Sequence, residues 1–578
     1  MDIGVRKGTA GSVVDPAQSR VLRTAELLQL VMFAIDEDMS CCERVSSPTS
    51  QHLLWAALTC KRFYDPAMDV LWRKMDSWAP IVNLIDIVVK KSSEPRHNNS
   101  YIVKGIISEK HIKRMDSYVQ RIRHFIVWDN GDDPVEISPH IYMYLYELRH
   151  FRLFPALREL TILHRDFVDY PSCDVPSLWL TPSPSLSEVS IVGIGADGVA
   201  ETLIEKISRS SPDVRQISLK GELGFELGPF LGIMVQFSNL RKLKISSCCD
   251  DAIISAHDID SLSRLKKLQD LQLYLEKAQF KSSSGSNYHK RISIEEDTGF
   301  DSLENLRLTA PSRTALQVLE HIPAAKSITK VTIRLQGAKN HAVPYVLQNV
   351  LRLGSNTLRE LQITTCHKID CPGMSDMFYQ CLEDFSLRLP RLEVLDIKLD
   401  RVDEELLTAL AKSGLSRALT TLHLTPDSSR ECYNLRASEL GIIAELFPNL
   451  RSLEIPLFMD MSKYCLEEMQ NFVQSAGARK ARNWKVHPLR HLAISPLQLQ
   501  FSATGDTENT AARTRDRLVM MPAVQRNVES AYVYARYLHQ VFPYLRHTDL
   551  RDWGHKEVNH HWMEDVFSLI ARFVKEDE

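Results

Sequence analysis

Several things are scarce in this chain, and each scarcity removes a class of protein. With 22 glycines and 26 prolines in 578 residues, it is neither fibrous nor of low complexity. Its 11 cysteines, an odd number spread from Cys41 to Cys465, include no Cys-x-x-Cys pair. A zinc ribbon and a redox motif are therefore not expected, and reduced thiols fit the cytosol or nucleus. No stretch approaches the roughly eighteen apolar residues that span a membrane. The opening MDIGVRKGTAGSVVDPAQSR has no apolar run after its basic residues, so it reads as neither a secretory signal nor a membrane anchor. Charge of one sign is also missing, since 70 Lys and Arg stand against 73 Asp and Glu. A broad basic field for general nucleic-acid binding is excluded on that count. Walker A loops, G-x-S-x-G elbows and H-E-x-x-H helices are absent as well.

What is present is a recurring pattern of apolar residues, L-x-x-L-x-L. Instances are Leu157/Leu160/Ile162, Leu186/Val189/Ile191, Val214/Ile217/Leu219, Leu240/Leu243/Ile245, Leu268/Leu271/Leu273, Leu303/Leu306/Leu308 and Ile328/Val331/Ile333. They continue at Leu358/Leu361/Ile363, Leu392/Leu395/Ile397, Leu419/Leu422/Leu424, Leu450/Leu453/Ile455 and Leu489/Leu492/Ile494, with weaker copies at Ile122/Phe125/Val127 and Leu545/Leu550. The spacing is mostly about 25 to 35 residues, the range of a repeat unit. Side chains two apart share one face of a strand, so each unit contributes one short strand. Amphipathic stretches between units, such as GVAETLIEKISRS, DEELLTALAKS and ASELGIIAELF, have helical spacing. One copy would carry no weight, because leucine is common; about fourteen phased copies carry a great deal.

This pattern resembles the long, helix-containing leucine-rich repeats of ribonuclease-inhibitor-like proteins. The resemblance implies an α/β solenoid of horseshoe type, with parallel strands along one wall. Cys248 and Cys366 fall at that family's Asn/Cys position. Other units lack the residue, so an irregular solenoid is expected.

Residues 21–75 break the repeat and read as three helices. The first has Leu27, Leu28, Val31 and Ile35 on one face, with Thr24 as N-cap; the second has a stripe of Leu54, Ala57 and Leu58. The third is expected to start at Asp65, with Pro66 at N1 where its missing N–H does no harm. These residues resemble an F-box, the helical module that docks on the Skp-type adaptor of cullin ubiquitin ligases. Ala25-Glu26-Leu27-Leu28 is similar to its start, Leu53-Leu54 with Ala57-Leu58 to its middle, Cys60-Lys61-Arg62-Phe63 to its Cys-Lys-Arg-Trp element, and Leu71-Trp72 to its end. Thr24 stands where that family usually has proline, and DEDMSCCERVSSPTSQ separates the first two helices. The resemblance implies adaptor contact by Leu27, Leu28, Leu58, Cys60, Phe63 and Trp72. A helical cap closing the end of the repeats is the alternative.

Three other motifs suggest chemistry, and a simpler reading is preferred for each. Gly193-Ile194-Gly195-Ala196-Asp197-Gly198 follows a strand, opens a helix and has Glu222 at the spacing of a ribose-binding acid, as in a dinucleotide site. Its strand and helix are already accounted for by the repeat. His555, His560 and His561 lack the three- or four-residue spacing that stacks ligands on one helical face. Arg479, Lys480, Arg482 and Lys485 make a basic run that reads as a solvated loop. The expected organisation is a flexible stretch over 1–20, an F-box-like module over 21–78, connecting helices and loop over 79–119, and the repeats with a C-terminal helical cap over 120–578. The expected role is non-enzymatic, without cofactor or metal: a substrate receptor of an SCF-type ligase binding a Skp-type adaptor, the cullin complex and a protein substrate, in cytoplasm or nucleus. A free-standing repeat scaffold is the alternative, and a dinucleotide-binding enzyme a distant third.

Overall fold

The computed structural model describes residues 24–37, 48–91, 99–129, 135–149, 153–164, 178–194, 199–221, 227–247, 252–281, 299–322, 325–337, 342–353, 356–365, 381–382, 388–399, 402–426, 439–460, 487–500, 524–545 and 547–550, with 435, 467, 469–471, 474, 566 and 568–573. The chain divides into two compact units, one of Met1–Leu223 with Gln236–Leu240 and one of Gly224–Val235 with Arg241–Glu578. Residues 1–20, Cys248, Cys366, Gly195–Gly198, the 479–485 run and His555, His560 and His561 lie outside the described residues.

The first unit opens with α1 (Ala25–Glu37), α2 (Pro48–Thr59) and α3 (Lys61–Leu71), packed against one another. Then come β1 (Lys74–Met75), α4 (Ala79–Val82), β2 (Val88–Lys91), β3 (Asn99–Val103), α5 (Glu109–Val119), β4 (His124–Asp129), β5 (Val135–Ile137) and α6 (Pro139–Arg149). The unit continues with β6 (Glu159–His164), β7 (Glu188–Ile194), α7 (Val199–Ser210) and β8 (Gln216–Gly221). Its main sheet runs β1-β4-β6-β7-β8, with the registered pairs parallel. The two-residue strand β1 lies upstream of residue 120, with no repeat pattern to announce it. The segment 79–119, expected as helices and loop, also contains β2 and β3, which form a small sheet with β5.

In the second unit the order is α8 (Gly228–Met234), β9 (Lys242–Ser247), β10 (Ile253–Ser255), α9 (Ala256–Ser263), β11 (Asp270–Leu275), β12 (Gln279–Lys281), β13 (Asn305–Pro311) and α10 (Ser312–His321). It goes on through β14 (Lys330–Gln336), α11 (Ala342–Leu353), β15 (Glu360–Thr365), β16 (Val394–Leu399), α12 (Glu404–Lys412), β17 (Thr421–Pro426) and α13 (Leu440–Leu446). β18 (Ser452–Asp460), β19 (His491–Gln500), α14 (Val524–Val541) and β20 (His547–Leu550) complete it. Its sheet is parallel in the order β9-β11-β13-β14-β15-β16-β17-β18-β19-β20, and β10 and β12 form a separate parallel pair.

The apolar triplets account for this order. Leu306 pairs with Leu271 and Val331, Leu361 with Val331 and Leu395, and Leu422 with Leu395 and Leu453. Each of these side chains is buried, as are the leading residues of the triplets, Leu268, Leu303, Ile328, Leu358, Leu392, Leu419 and Leu450. These triplets of the second unit therefore supply successive rungs of its core, the economy of a repeat protein. The architecture is mixed α/β with one parallel strand per repeat, compatible with a solenoid. Just before most strands of the parallel sheets, a backbone carbonyl accepts from two successive amides of the next repeat. Arg359 O takes Glu393 N and Val394 N at 2.8 and 2.9 Å, and Glu393 O takes Thr420 N and Thr421 N at 2.8 and 3.0 Å. These paired bonds hold the lead-in residues of successive strands in one row. Between strands, Asp403 caps α12 by accepting from Leu406 N at 2.9 Å, as its position before an amphipathic run implies.

A buried histidine gives the second unit a pH dependence. His487 Nε2 lies 2.8 Å from the Phe447 carbonyl, and the Leu489 amide donates to Nδ1 at 3.2 Å, an arrangement that suits the neutral ring. Burial lowers its pKa from the ordinary 6.5, with the Phe447 hydrogen bond opposing more weakly. The folded value is thus below the unfolded one. The associated stability is complete above about pH 6.5 and is lost as pH falls through the lowered folded value. Urea midpoints measured from pH 7.5 down to 5 should fall, and His487→Gln should reduce the slope; an unchanged slope contradicts the assignment.

Candidate docking surface on the amino-terminal helices

The three helices of the first unit carry more apolar residues than they bury. On α1, Leu28 and Met32 point into the core and Ile35 is half-buried, a spacing of four and three that makes one stripe. Leu27, Leu30 and Val31 face outward, so the expected stripe containing Leu27 and Val31 is displaced by about one position. The same displacement occurs on α2. Leu53 and Ala57 are buried, while Leu54, Trp55 at 57% and Leu58 at 73% are exposed. A helix that is apolar on two sides cannot satisfy both within one small bundle, and the uncovered side is a candidate interaction surface.

The third helix corrects a second expectation. It begins at Lys61 rather than at Asp65, and Pro66 lies inside it, buried. Cys60, extended at φ −156° and ψ 157°, breaks the chain between α2 and α3. Pro66 costs the helix one backbone bond, to Arg62 O, but the ring packs in the core beside Ala67, Met68 and Val70.

The structure divides the six residues named from sequence. Leu27, Leu58 and Cys60 are exposed, and Phe63 is half-buried. Leu28 and Trp72 are buried. Trp72 packs against Tyr118 of α5 with ring centroids 4.8 Å apart, so it ties the helices to the rest of this unit. Sequence reading missed Leu30, Val31, Leu54 and Trp55 as exposed apolar residues. The signal was available in part, since α1 and α2 have too many apolar positions for a single stripe.

Charged contacts set the orientation of α3. Arg121 pairs with Asp65 at 2.7 Å and with Asp69. Burial works against its charge, but hydrogen bonds and charge from Asp65 and Asp69 outweigh that, and its pKa is raised. Nearby, Arg73, Lys74, Arg121, Arg123 and Arg158 line an open cleft of about 840 Å³ together with Asp65, Asp69 and Glu159. The acids answer much of its positive charge. The Arg73 guanidinium lies over the Phe33 ring at 4.8 Å.

Other groups resemble reactive sites without completing one. On the second unit's sheet, His423 Nε2 lies 3.2 Å from Ser452 Oγ, His423 Nδ1 is 3.8 Å from Glu454, and Ser452 Oγ is 3.3 Å from His491 Nδ1. A serine, a histidine and a carboxylate in that order suggest a nucleophile. The three lie on adjacent strands whose backbone amides serve the sheet ladder, so those strands offer them no oxyanion donors. In the first unit, burial lowers the pKa of Lys206 to about 8; its Nζ sits over the Trp179 and Tyr146 rings at 4.3 and 4.9 Å. Its Nζ also donates to Trp179 O at 3.3 Å, which makes it a packing group. Gly193 has φ 85° at the end of β7, but the remaining glycines of that loop lie outside the described residues. Among the described residues no group of three or more His, Cys, Asp or Glu could hold a metal ion, and no helix is long and apolar enough to cross a membrane.

No family model matches the chain, and no curated protein matches it. Among solved structures, it is similar to one from the Drosophila Toll–Spätzle complex, at 14% identity and a TM-score of 0.32, covering 69% of this chain and 42% of that one. It is also similar to one from the yeast Rad7–Elc1 complex, at 18% identity and a TM-score of 0.29, covering 56% of this chain and 84% of that one. Neither likeness bears on what the helices or the repeats bind.

Proposed function

We propose that this chain is the substrate-recognition subunit of a cullin-type ubiquitin ligase. Its helices α1–α3 dock on a Skp-type adaptor, and its repeats hold a protein substrate. The observation that carries this reading is the uncovered apolar surface of Leu27, Leu54, Trp55 and Leu58, on the same helices whose residues resemble an F-box. Such a subunit catalyses no reaction and needs no cofactor. It raises the effective concentration of its substrate near a ubiquitin-charged enzyme, in cytoplasm or nucleus.

A free-standing scaffold with a helical cap is the second reading. It is favoured by Trp78, whose ring contacts Phe125, Tyr142 and Phe154 at 5.0, 5.3 and 5.4 Å, because that packing joins the segment after the helices to the first strands as a cap would be joined. The same contacts rule out deleting residues 21–78 as a clean way to separate docking from recognition, since Trp72 and Trp78 belong to the core. Substitution of exposed residues avoids the problem. In cells, Trp55→Asp with Leu58→Asp should leave the partners of the repeats bound and lengthen their lifetimes, whereas the unaltered chain shortens them. Identical partners with identical lifetimes would rule out the ligase role and leave the scaffold.

A further inference from the structure

We infer that the second unit carries a docking site for an extended acidic segment of a protein, at the lead-in ends of strands β15 to β18. Arg359, Arg391, Arg417 and Arg451 line a cleft of about 490 Å³ there, against one carboxylate, Glu393, among the described residues. Arg359 is answered by Glu393 at 2.9 Å. The side chains of Arg391, Arg417 and Arg451 are exposed and have no ion-pair or hydrogen-bond partner among the described residues.

These cations are held by the repeat itself. The paired backbone bonds described above fix Arg359 and Arg451 in the lead-in row, with Arg451 N donating to Thr420 O at 2.7 Å. Asn449 Nδ2 donates to Arg417 O at 2.7 Å and fastens the turn that bears Arg417. An anion arriving here meets arginines whose backbones need no rearrangement. The Arg359–Glu393 pair shows the chemistry the row already supports, a guanidinium on one repeat against a carboxylate on the next.

The spread of the charge selects the ligand. Neighbouring strands lie about 4.8 Å apart, so guanidinium groups distributed over four repeats extend over roughly 14 Å. That exceeds the reach of one phosphoryl group and suits several carboxylates on an extended chain, whose same-side residues recur about every 7 Å. A single-stranded nucleic acid also spreads its charge, but it binds through aromatic stacking as well, and among the described residues no aromatic side chain lines this cleft. The cleft of the first unit is the weaker candidate, because Asp65 and Asp69 already occupy its Arg121. The inference rests on reading the repeats as a protein-binding surface and not on adaptor docking.

The test is fluorescence anisotropy on the full chain with three probes: a labelled peptide of eight Glu and Asp residues, a neutral peptide with one phosphoserine, and oligo(dT) of matched length. The acidic peptide should bind most tightly, and its affinity should fall at least about tenfold between roughly 50 and 300 mM salt, as screening requires. Arg391→Gln, Arg417→Gln and Arg451→Gln together should weaken it by about tenfold or more, with the urea midpoint unchanged. Arg158→Gln in the first unit should leave it unaltered. No binding by the unaltered chain, equal binding by the triple variant, or tighter binding of either other probe would overturn the proposal. Adaptor binding enters none of these outcomes, so failure here is distinguishable from failure of the ligase reading.

Discussion

Replacing Leu361 with aspartate should unfold the sheet of the second unit. Leu361 is fully buried in β15, registered between Val331 on one side and Leu395 on the other. Nothing among its apolar neighbours answers a carboxylate, and burying an unpaired charge costs several kcal/mol beyond the apolar contact it replaces. A loss of about 5 kcal/mol or more is expected, comparable with the whole stability of an ordinary domain. In a repeat array the damage passes to both neighbours, since each rung depends on the next. Urea denaturation followed by circular dichroism should show the loss. Leu361→Ile, which keeps the volume, should cost less than about 1.5 kcal/mol. Thr364→Asp, three residues along and on the opposite face of the same strand, should change little. A normal transition for Leu361→Asp contradicts the repeat register.

The second large effect concerns the helices. Trp55→Asp with Leu58→Asp should reduce affinity for a Skp-type adaptor by about a hundredfold or more, because buried aromatic and aliphatic anchors at an interface are each worth about 2 kcal/mol. Both side chains are exposed in the free chain, so their loss should leave the unfolding free energy from urea titration within about 0.5 kcal/mol of the unaltered chain's. Leu53→Asp is the contrasting variant. Leu53 is buried within the bundle, and that change should lower stability and binding together.

The repeats were legible in sequence because their signal is summed. Each triplet is ambiguous, but Leu358, Leu361 and Ile363 recur in phase with Leu392, Leu395 and Ile397, and registered pairing on parallel strands buries all of them. Details that depend on one contact were not legible. Asp65-Pro66 reads locally as a helix start, yet α3 begins at Lys61, where burial of Pro66 compensates for its missing donor. The stripes on α1 and α2 were displaced because these helices are apolar on more than one side. Sequence patterning cannot say which side meets the rest of the chain. Strand β1 has two residues and is drawn into the sheet by Met75 alongside Phe125. The arginine cleft was invisible for a different reason. Arg359, Arg391, Arg417 and Arg451 are about thirty residues apart and look like ordinary surface charges until the repeats stack them.

The central claim is that helices α1–α3 form a docking surface for the adaptor, and isothermal titration of the intact chain with purified Skp-type adaptor measures it directly. A saturable one-to-one complex is predicted, lost on combining Trp55→Asp with Leu58→Asp and retained with Arg391→Gln, Arg417→Gln and Arg451→Gln. No heat of binding from the unaltered, folded chain, or equal affinity in the Trp55→Asp, Leu58→Asp variant, would contradict it.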